Sequence, residues 1–230
     1  LFSAPCNPSG SVYNKEELKG LVEVFKDFPD VMIISDEIYE YINFTGQHAS
    51  IGAFEKVKDR TITVNGFSKG FAMTGWRLGY LGAPAWIAEA CAKIQGQFTS
   101  GATAFGQMAA AYALEADMQP THDMRSAFLA RRDMVIELLN EVPGMKVNRP
   151  QGAFYIFPDI SEFFGKTTPA GDRISSSDDF CEYLLNQAHV ATVSGSAFGA
   201  DNCFRISYAA SEKELREAIR RIGVAVGELN

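Results

Sequence analysis

A short, unbroken apolar run constrains the fold of this chain more than any other feature. It reads Val-Met-Ile-Ile-Ser at residues 31–35 and is followed by Asp36. Strands of a parallel sheet are buried on both faces, so they are continuous apolar runs rather than alternating ones. A carboxylate at the carboxyl end of such a strand faces the ligand crevice of an open α/β sheet. The run therefore predicts an α/β fold and makes Asp36 a candidate binding residue, although on its own Asp36 could equally cap a following helix.

A lysine occupies a turn of small residues after a second strand-like stretch, at residues 61–65. The turn reads Gly-Phe-Ser-Lys-Gly and contains Ser68 and Lys69. Most lysines are solvated surface charges, but an uncharged lysine amine can condense with an aldehyde. Arg77, eight residues on, stands at the start of a strand-like stretch that runs to residue 82. Its guanidinium is suited to bind a phosphate through two parallel hydrogen bonds, and the Ser68 hydroxyl could donate another.

Two further polar side chains accompany these segments. Tyr39 follows Asp36 by three residues, and Asn7 begins an Asn-Pro-Ser-Gly stretch that by itself is merely a good turn. Asp36 could keep the nitrogen of a pyridine ring protonated, which makes such a ring an electron sink. Tyr39 could hydrogen-bond a phenolic oxygen on the same ring.

An arginine lies within an otherwise apolar, alternating strand near the end of the chain. The segment reads Cys-Phe-Arg-Ile-Ser-Tyr at residues 203–208, and its arginine is Arg205. A charge among apolar neighbours needs an anionic partner, and a substrate carboxylate is one candidate. A structural ion pair is the other, and the segment alone does not separate the two.

Taken together, in this order and spacing, these segments resemble the class I/II aminotransferases of fold type I. The resemblance covers essentially the whole chain and adds Gly-Ala-Phe-Tyr at residues 152–155. Within that family the sequence looks most like the prokaryotic aspartate aminotransferase subgroup. The resemblance implies pyridoxal 5'-phosphate as cofactor, and it implies part of a large cofactor-binding domain followed by a smaller α+β domain. We place these domains at residues 1–118 and 119–230.

The resemblance also implies a role for each candidate residue. Lys69 would form the internal aldimine and act as the general base. The remaining residues would bind the cofactor or the substrate: Asp36 the pyridine nitrogen, Asn7 and Tyr39 the phenolic oxygen, Ser68 and Arg77 the phosphate, and Arg205 the substrate α-carboxylate. No metal is expected. Some members carry a serine phosphate donor three residues before the lysine, where this chain has Gly66.

The implied reaction is transamination by a ping-pong mechanism, with aspartate and 2-oxoglutarate as the first choice of substrates. Aromatic or alanine-type substrates are alternatives, and so is a noncatalytic fragment that binds the cofactor without turnover. Members of this family carry a substantial N-terminal portion before the Asn-Pro-x-Gly segment, so this chain is expected to be the C-terminal part of an enzyme. The family builds its site at a dimer interface, so a homodimer is expected, with Phe98 and Thr99 near the second subunit.

A hydrolase is the rival from a different class. The Gly-Phe-Ser-Lys-Gly turn also matches the Gly-x-Ser-x-Gly nucleophile elbow, with Ser68 as nucleophile. An elbow must be followed by a helix, whereas here the chain continues into an alternating stretch from Arg77. The required downstream histidine could only be His122 or His189.

Charge and composition exclude some partners. The net charge of −7 and the pI near 5.1 disfavour a nucleic-acid partner. No apolar stretch approaches membrane-spanning length, and four scattered cysteines are typical of reduced thiols, so we expect a cytoplasmic protein without a membrane partner. The periodicity predicts a long helix at about residues 122–141, with Arg132 among the charged residues of its solvated face.

Overall fold

The computed structural model describes all residues from 1 to 230 and contains seven strands and six α-helices. The strands are β1 (Phe2–Ser3), β2 (Ile33–Asp36), β3 (Thr61–Gly66), β4 (Gly79–Gly82), β5 (Tyr155–Ile156), β6 (Val193–Ser194) and β7 (Phe204–Ser207). The helices are α1 (Lys15–Phe25), α2 (Ala85–Phe98), α3 (Ala104–Glu115), α4 (Gln119–Asn140), α5 (Ser177–Tyr183) and α6 (Glu212–Gly227).

Backbone contacts group the residues into two compact units. Unit 1 consists of Leu1–Cys6, Ser11–Arg125 and Gln151–Ala153. Unit 2 consists of Asn7–Gly10, Ser126–Pro150 and Phe154–Asn230. The domain division at residues 118 and 119 stays a prediction, because a grouping by contacts does not define where a domain begins.

The four strands of unit 1 form one sheet in the order β1-β2-β3-β4. β1 pairs with β2 and β2 pairs with β3 in parallel, whereas β4 runs antiparallel to β3 at the edge. The predicted α/β fold with a mostly parallel sheet is confirmed. Because Asp36 lies opposite Val64 in the register of β2 and β3, the segments that follow these two strands emerge at the same edge of the sheet.

Helix α1 covers one face of this sheet and begins at a capping box. The Asn14 side chain accepts hydrogen bonds from the amides of Glu16 and Glu17, and the Glu17 carboxylate accepts one from the Asn14 amide. This exchange satisfies amides that have no partner within the helix. The helix then contributes Leu18 and Val22 to a buried cluster that also contains Ile33, Ile51 and Val57.

Helices α2 and α3 expose apolar side chains to an unusual degree. The large exposed residues on these two helices are Trp86, Ile94, Phe98, Phe105, Met108, Tyr112 and Leu114. We call this set the α2/α3 apolar surface. Only Ile87 of α2 and Gly106 and Ala110 of α3 are fully buried. Neither these helices nor any other is both long and apolar enough to cross a membrane.

Unit 2 is built on a three-stranded antiparallel sheet in the order β5-β7-β6. Its core contains stacked and edge-on rings, among them Phe163, Phe180 and Phe204. Helix α6 starts at a capping box between Ser211 and Glu214. Its apolar face consists of Leu215, Ile219, Ile222 and Val226, which are all buried.

Two sequence-based expectations are wrong in detail. Arg77 does not start a strand: it follows a 3-10 turn with a left-handed backbone (φ 54°), and β4 begins only at Gly79. Arg132 on α4 is buried, with a relative exposure of 7%. Its guanidinium donates to the Asp133 carboxylate and to the carbonyl of Pro150, so its charge is compensated where a solvated face was expected.

Candidate active site

The segment after β2 is a tight turn that presents two of the predicted residues. The amide of Glu37 donates to the carbonyl of Val64 at 2.8 Å, which ties the start of the turn to β3. Asp36 Oδ1 accepts a hydrogen bond from the amide of Ile38 at 3.1 Å. This amide does not engage the second carboxylate oxygen, Oδ2. Tyr39, two positions beyond Glu37, is buried. A carboxylate and a phenol therefore share one short turn at the carboxyl edge of the sheet.

Lys69 lies in the turn that follows the neighbouring strand β3. Its Nζ lies 6.0 Å from the centroid of the Tyr39 ring. The next residue, Gly70, is held on two sides: its carbonyl accepts a hydrogen bond from Thr121 Oγ1 at 3.1 Å, and an added Cβ would meet the Tyr41 ring at 2.6 Å. The amine is therefore carried by a turn that packs closely against the Asp36–Tyr41 segment.

Gly66, where some family members carry a serine, is also in close contact with its surroundings. A Cβ at this position would lie 2.9 Å from the Leu78 carbonyl oxygen and 3.0 Å from the Gly79 Cα. Both neighbours are backbone atoms of the chain that leads into the paired strand β4. A serine at position 66 would require that backbone to move, which gives a physical reason for the glycine.

The two predicted phosphate ligands differ in their surroundings. Ser68 is half-buried beside Lys69, whereas Arg77 is exposed and donates to the carbonyl of Thr74 at 2.9 Å. Arg77 also lines a cavity of about 1210 Å³ in unit 1, which Trp76 and Tyr80 border as well. The cavity lining includes neither Lys69 nor Asp36. Of the predicted unit 1 residues, the structure gathers Asp36, Tyr39, Ser68 and Lys69 on adjacent turns and leaves Arg77 in a separate loop.

Unit 2 brings together the other two predicted residues. The Arg205 guanidinium on β7 donates from Nη1 to Asn7 Oδ1 at 2.9 Å. Its central carbon lies 4.5 Å from the centroid of the Tyr155 ring and 5.0 Å from that of Phe198. Arginine stacks favourably on aromatic faces because the guanidinium is planar and weakly hydrated. Asn7 and the two rings therefore hold the guanidinium in one orientation.

One polar atom of this group lacks a partner. Arg205 Nε is buried and makes no hydrogen bond. A buried donor without an acceptor is unfavourable by about 1–3 kcal/mol, and an arginine can satisfy it with a carboxylate that binds two of its N–H groups. The ion pair that would make Arg205 purely structural is absent, since the guanidinium donates its hydrogen bond to the neutral Asn7 and to no carboxylate. The Arg205 group therefore fits an external carboxylate.

The donor set of unit 1 also fits a pyridine aldehyde that carries a phosphate. It contains an amine, a carboxylate, a phenol and a hydroxyl, on Lys69, Asp36, Tyr39 and Ser68. These groups match the aldehyde, ring nitrogen, phenolic oxygen and phosphate of pyridoxal 5'-phosphate in chemical type.

The hydrolase alternative lacks its main structural requirement. A nucleophile elbow passes directly from a strand into a helix. After Ser68 the chain instead forms turns, then a 3-10 segment at Thr74–Trp76, and then the strand β4. No helix follows Ser68 before β4, so this position is not an elbow.

Several contacts of the site were missed by sequence reasoning. Tyr41 and Thr121 hold the Lys69 turn, and a hydrogen-bonded pair of Glu37 and His48 lies behind the Asp36 turn. Thr121 is 51 residues away from Gly70, so no local pattern indicates this contact. Tyr155, by contrast, belongs to the Gly-Ala-Phe-Tyr segment already singled out in the sequence, so it could have been proposed as an aromatic neighbour of Arg205.

Known proteins with similar sequences are named as aminotransferases. The family model described as Aminotransferase class I and II matches residues 1–222. The chain is 45% identical over 98% of its length to a bifunctional aspartate aminotransferase and glutamate/aspartate-prephenate aminotransferase of Petunia hybrida. It is 43% identical over its whole length to an aspartate aminotransferase of Rhizobium meliloti.

Solved structures of similar proteins have the same fold. The crystal structure of the aspartate aminotransferase from Rhizobium meliloti superimposes on the whole chain with a TM-score of 0.96. The matched region is 58% of the length of that protein. The crystal structure of an aromatic aminotransferase from Pyrococcus horikoshii superimposes with a TM-score of 0.90 at 40% identity, over 99% of this chain and 59% of its own. The chain spans about half the length of the curated relatives it matches, 48% of the Petunia protein and 57% of the Rhizobium one.

Proposed function

Because the chain belongs to the aminotransferases of class I and II, we propose that it is part of an enzyme that exchanges an amino group between an amino acid and a 2-oxo acid. The proposed cofactor is pyridoxal 5'-phosphate. When bound, this cofactor supplies a reactive aldehyde carbon and a ring that withdraws electrons from the α-carbon of the substrate. The protein must then hold the ring, bind the substrate and move a proton.

In unit 1, Lys69 would hold the cofactor through its amine, and the same amine would serve as the general base that moves a proton at the substrate α-carbon. The Asp36 carboxylate would keep the pyridine nitrogen protonated, and Tyr39 would donate a hydrogen bond to the phenolic oxygen. Ser68 and Arg77 would bind the phosphate. Arg77 would have to exchange its hydrogen bond to the Thr74 carbonyl for the phosphate oxygens.

In unit 2, Arg205 binds the α-carboxylate of the amino acid or oxo acid. Its buried and unsatisfied Nε supports this role, since the bound carboxylate supplies the missing acceptor. Asn7 is proposed to bind the phenolic oxygen of the cofactor through its side-chain amide, while its Oδ1 accepts from Arg205.

One observation carries the proposal. The Lys69 amine lies 6.0 Å from the centroid of the buried Tyr39 ring, on a turn adjacent to the one that begins at Asp36, and both turns leave parallel strands at the same edge. Ligands of open α/β sheets bind at this edge. A lysine that served only as a surface charge would not require a phenol and a carboxylate on the adjacent turn.

Aspartate and 2-oxoglutarate are the proposed substrates. Support comes from the relatives named as aspartate aminotransferases, while the aromatic aminotransferase among the structural neighbours keeps aromatic amino acids as an alternative. The first amino acid would leave as an oxo acid before the second oxo acid binds, which gives ping-pong kinetics. We also propose that the protein is a cytoplasmic homodimer; its four cysteines are free thiols, in keeping with a reducing compartment.

The test is to identify the lysine that holds the cofactor. The full-length protein is mixed with pyridoxal 5'-phosphate and reduced with borohydride, which fixes the cofactor to the amine that binds it, and the adduct is located by peptide mass analysis. We expect the adduct on Lys69 in the wild type and in the control variant Lys93→Ala, whose lysine is an exposed residue of α2. Lys69→Ala should lose both the adduct and the transfer of amino groups.

An adduct scattered over surface lysines, or Lys69→Ala turnover equal to that of the wild type, would overturn the proposal. A positive result leads to a screen of aspartate, aromatic amino acids and alanine as donors to 2-oxoglutarate. A wild type that carries the adduct but uses none of these donors would favour the noncatalytic alternative.

A further inference from the structure

A buried carboxylate with no role in the proposed function lies behind the Asp36 turn. Glu37 has a relative exposure of 3%. Its Oε1 accepts hydrogen bonds from the hydroxyls of Ser35 at 2.8 Å and Ser50 at 2.7 Å, and its Oε2 lies 2.7 Å from His48 Nε2. Buried carboxylates are rare unless they are paired. The negative charge of Glu37 is compensated by hydrogen bonds from these side chains rather than by solvent.

His48 lies close to a second carboxylate of the same turn. Its Nε2 is 3.9 Å from Glu40 Oε2. Glu37 and Glu40 alternate along the chain with the proposed cofactor ligands, in the order Asp36, Glu37, Tyr39, Glu40. The turn is closed by a hydrogen bond from the Glu40 amide to the Glu37 carbonyl at 2.9 Å. An imidazolium facing both carboxylates therefore braces the turn that carries the ligands.

The loop that supplies His48 is itself anchored. Ser50, which donates to Glu37, also accepts a hydrogen bond from the amide of Gly52 and so caps the short helix at Ile51–Ala53. Ile51 is fully buried in the core cluster of unit 1. His48 thus extends from a fixed loop, and its position is set by the core rather than by the turn it contacts.

We propose that His48 is a positioning residue, which holds the carboxylates of Glu37 and Glu40 together and thereby fixes the turn that presents Asp36 and Tyr39 to the cofactor. This inference rests on the proposed function, because it concerns how well the cofactor ligands are placed. It assigns His48 no contact with substrate or cofactor.

A metal ion is the other occupant that these three side chains suggest, since their ligand atoms lie within 4.8 Å of one another. Both oxygens of the Glu37 carboxylate already have partners in Ser35, Ser50 and His48. A metal would have to displace the His48 contact, so we assign the cluster as a hydrogen-bonded brace.

The protonation state of His48 determines how strongly it holds the carboxylates of Glu37 and Glu40. Burial alone would lower the pKa of His48, but the hydrogen bond to Glu37 and the charges of Glu37 and Glu40 outweigh burial and raise the pKa above its usual value of 6.5. The stabilisation is therefore complete at pH values below 6.5 and is lost as the pH rises through the raised pKa. Tyr41 also faces Glu40, and Tyr80 faces both Glu37 and Glu40; burial raises the pKa of each phenol, so both stay neutral in this range.

The experiment compares His48→Gln with His122→Gln, whose histidine is exposed on α4, in the full-length protein. In the cofactor-free state, hydrogen exchange of the Glu40 and Ile42 amides is expected to be about tenfold faster in His48→Gln than in the wild type. The dissociation constant of pyridoxal 5'-phosphate should rise by about tenfold below the His48 pKa, and the difference from the wild type should shrink above it. The control should match the wild type in both measurements.

Unchanged exchange and affinity in His48→Gln would overturn the inference. So would a loss of affinity that is the same at every pH, because a general loss of stability has that effect. Glu40→Gln keeps the buried network around Glu37 and serves if His48→Gln does not fold. It should shift the pH at which cofactor affinity falls to a lower value, since it removes one charge that raises the His48 pKa, and the absence of a shift would count against the brace.

The same experiment separates this inference from the proposed function. A wild type in which Lys69 takes up no cofactor would overturn the proposed function and the inference with it. A wild type that carries the cofactor on Lys69, together with a His48→Gln variant that is unchanged, would overturn the inference alone.

Discussion

At the scale of single residues, close backbone approach holds the groups of unit 1 in place. The Lys69 turn can pack against Tyr41 only because Gly70 has no side chain. Real Cβ atoms essentially never approach another heavy atom as closely as the 2.6 Å found there. The absence of a Cβ at Gly70 thus allows the close packing that sets the position of the Lys69 amine.

Gly70→Ala should move the Tyr41 ring or the turn. We expect a loss of about 1–3 kcal/mol in the free energy of unfolding, because a methyl group forced into a packed site causes strain. Cofactor affinity should fall as well. Gly20→Ala is the matched control: nothing lies within 4 Å of its Cβ position in helix α1, and alanine there should stabilise the helix by about 0.5–1 kcal/mol. Thermal unfolding of both variants checks the prediction, and equal effects would contradict it.

Arg205→Ala should weaken substrate binding without removing the cofactor. We expect the KM for the amino acid to rise about 100-fold, since two charge-assisted hydrogen bonds to the carboxylate are lost. Borohydride labelling of Lys69 should persist. Arg149→Ala, which removes an exposed arginine of unit 2 paired with Asp133, is the control and should leave KM unchanged. A normal KM in Arg205→Ala would remove this residue from the substrate site.

At the scale of elements, helices and strands were easier to predict than their ends and partners. The apolar face of α6 and the parallel strand β2 follow from periodicity and continuity, which are local properties. The expectation that the run at residues 31–35 is buried on both faces is wrong, since Val31, Met32 and Ile34 are exposed and only Ile33 and Ser35 are buried. Arg77 was misplaced because the alternating pattern extends beyond the strand, while the sign of its φ angle depends on the preceding 3-10 turn. Ligand types in the site followed from motifs, but the packing of Tyr41 and Thr121 around the Lys69 turn depends on distant segments.

Helix α4 provides a second example, because a charged stretch does not reveal which charge turns inward. Arg132→Ala removes hydrogen bonds to Asp133 and to the Pro150 carbonyl. Asp133 keeps Arg149 as a partner, so we expect a destabilisation of about 1–3 kcal/mol, mainly from the unsatisfied carbonyl and lost packing. Arg131→Ala, which loses only a contact 5.8 Å from the Phe128 ring centroid, should lose less than about 1 kcal/mol. Urea denaturation of the two variants provides the comparison, and an equal loss would contradict the role given to the buried guanidinium.

At the scale of the whole molecule, the α2/α3 apolar surface is the most prominent exposed feature. Phe98, at 84% relative exposure, is its most exposed member. A concentration of large exposed apolar side chains on two successive helices is typical of association sites. A net charge of −7 opposes association only weakly at physiological salt, since charges are screened within about 8 Å.

The purified chain should therefore self-associate, and Phe98→Glu should weaken the association by about tenfold or more, because burial of a phenylalanine contributes about 1.5–3 kcal/mol. Val24→Glu adds the same charge at an exposed position of α1 and should have little effect. Sedimentation velocity over a range of concentrations measures both. Equal dissociation constants for the two variants would show that Phe98 takes no part in the contact.

The close pair formed by Gly66 and Gly79 has a consequence for how this site can change in evolution. A serine at position 66 would gain a hydroxyl for an anion but would collide with backbone, and no repacking of side chains relieves such a collision. The edge strand β4 would have to shift to make room for the side chain. A change at position 66 is therefore coupled to the backbone position of β4, so a serine there requires compensating changes around residues 78 and 79.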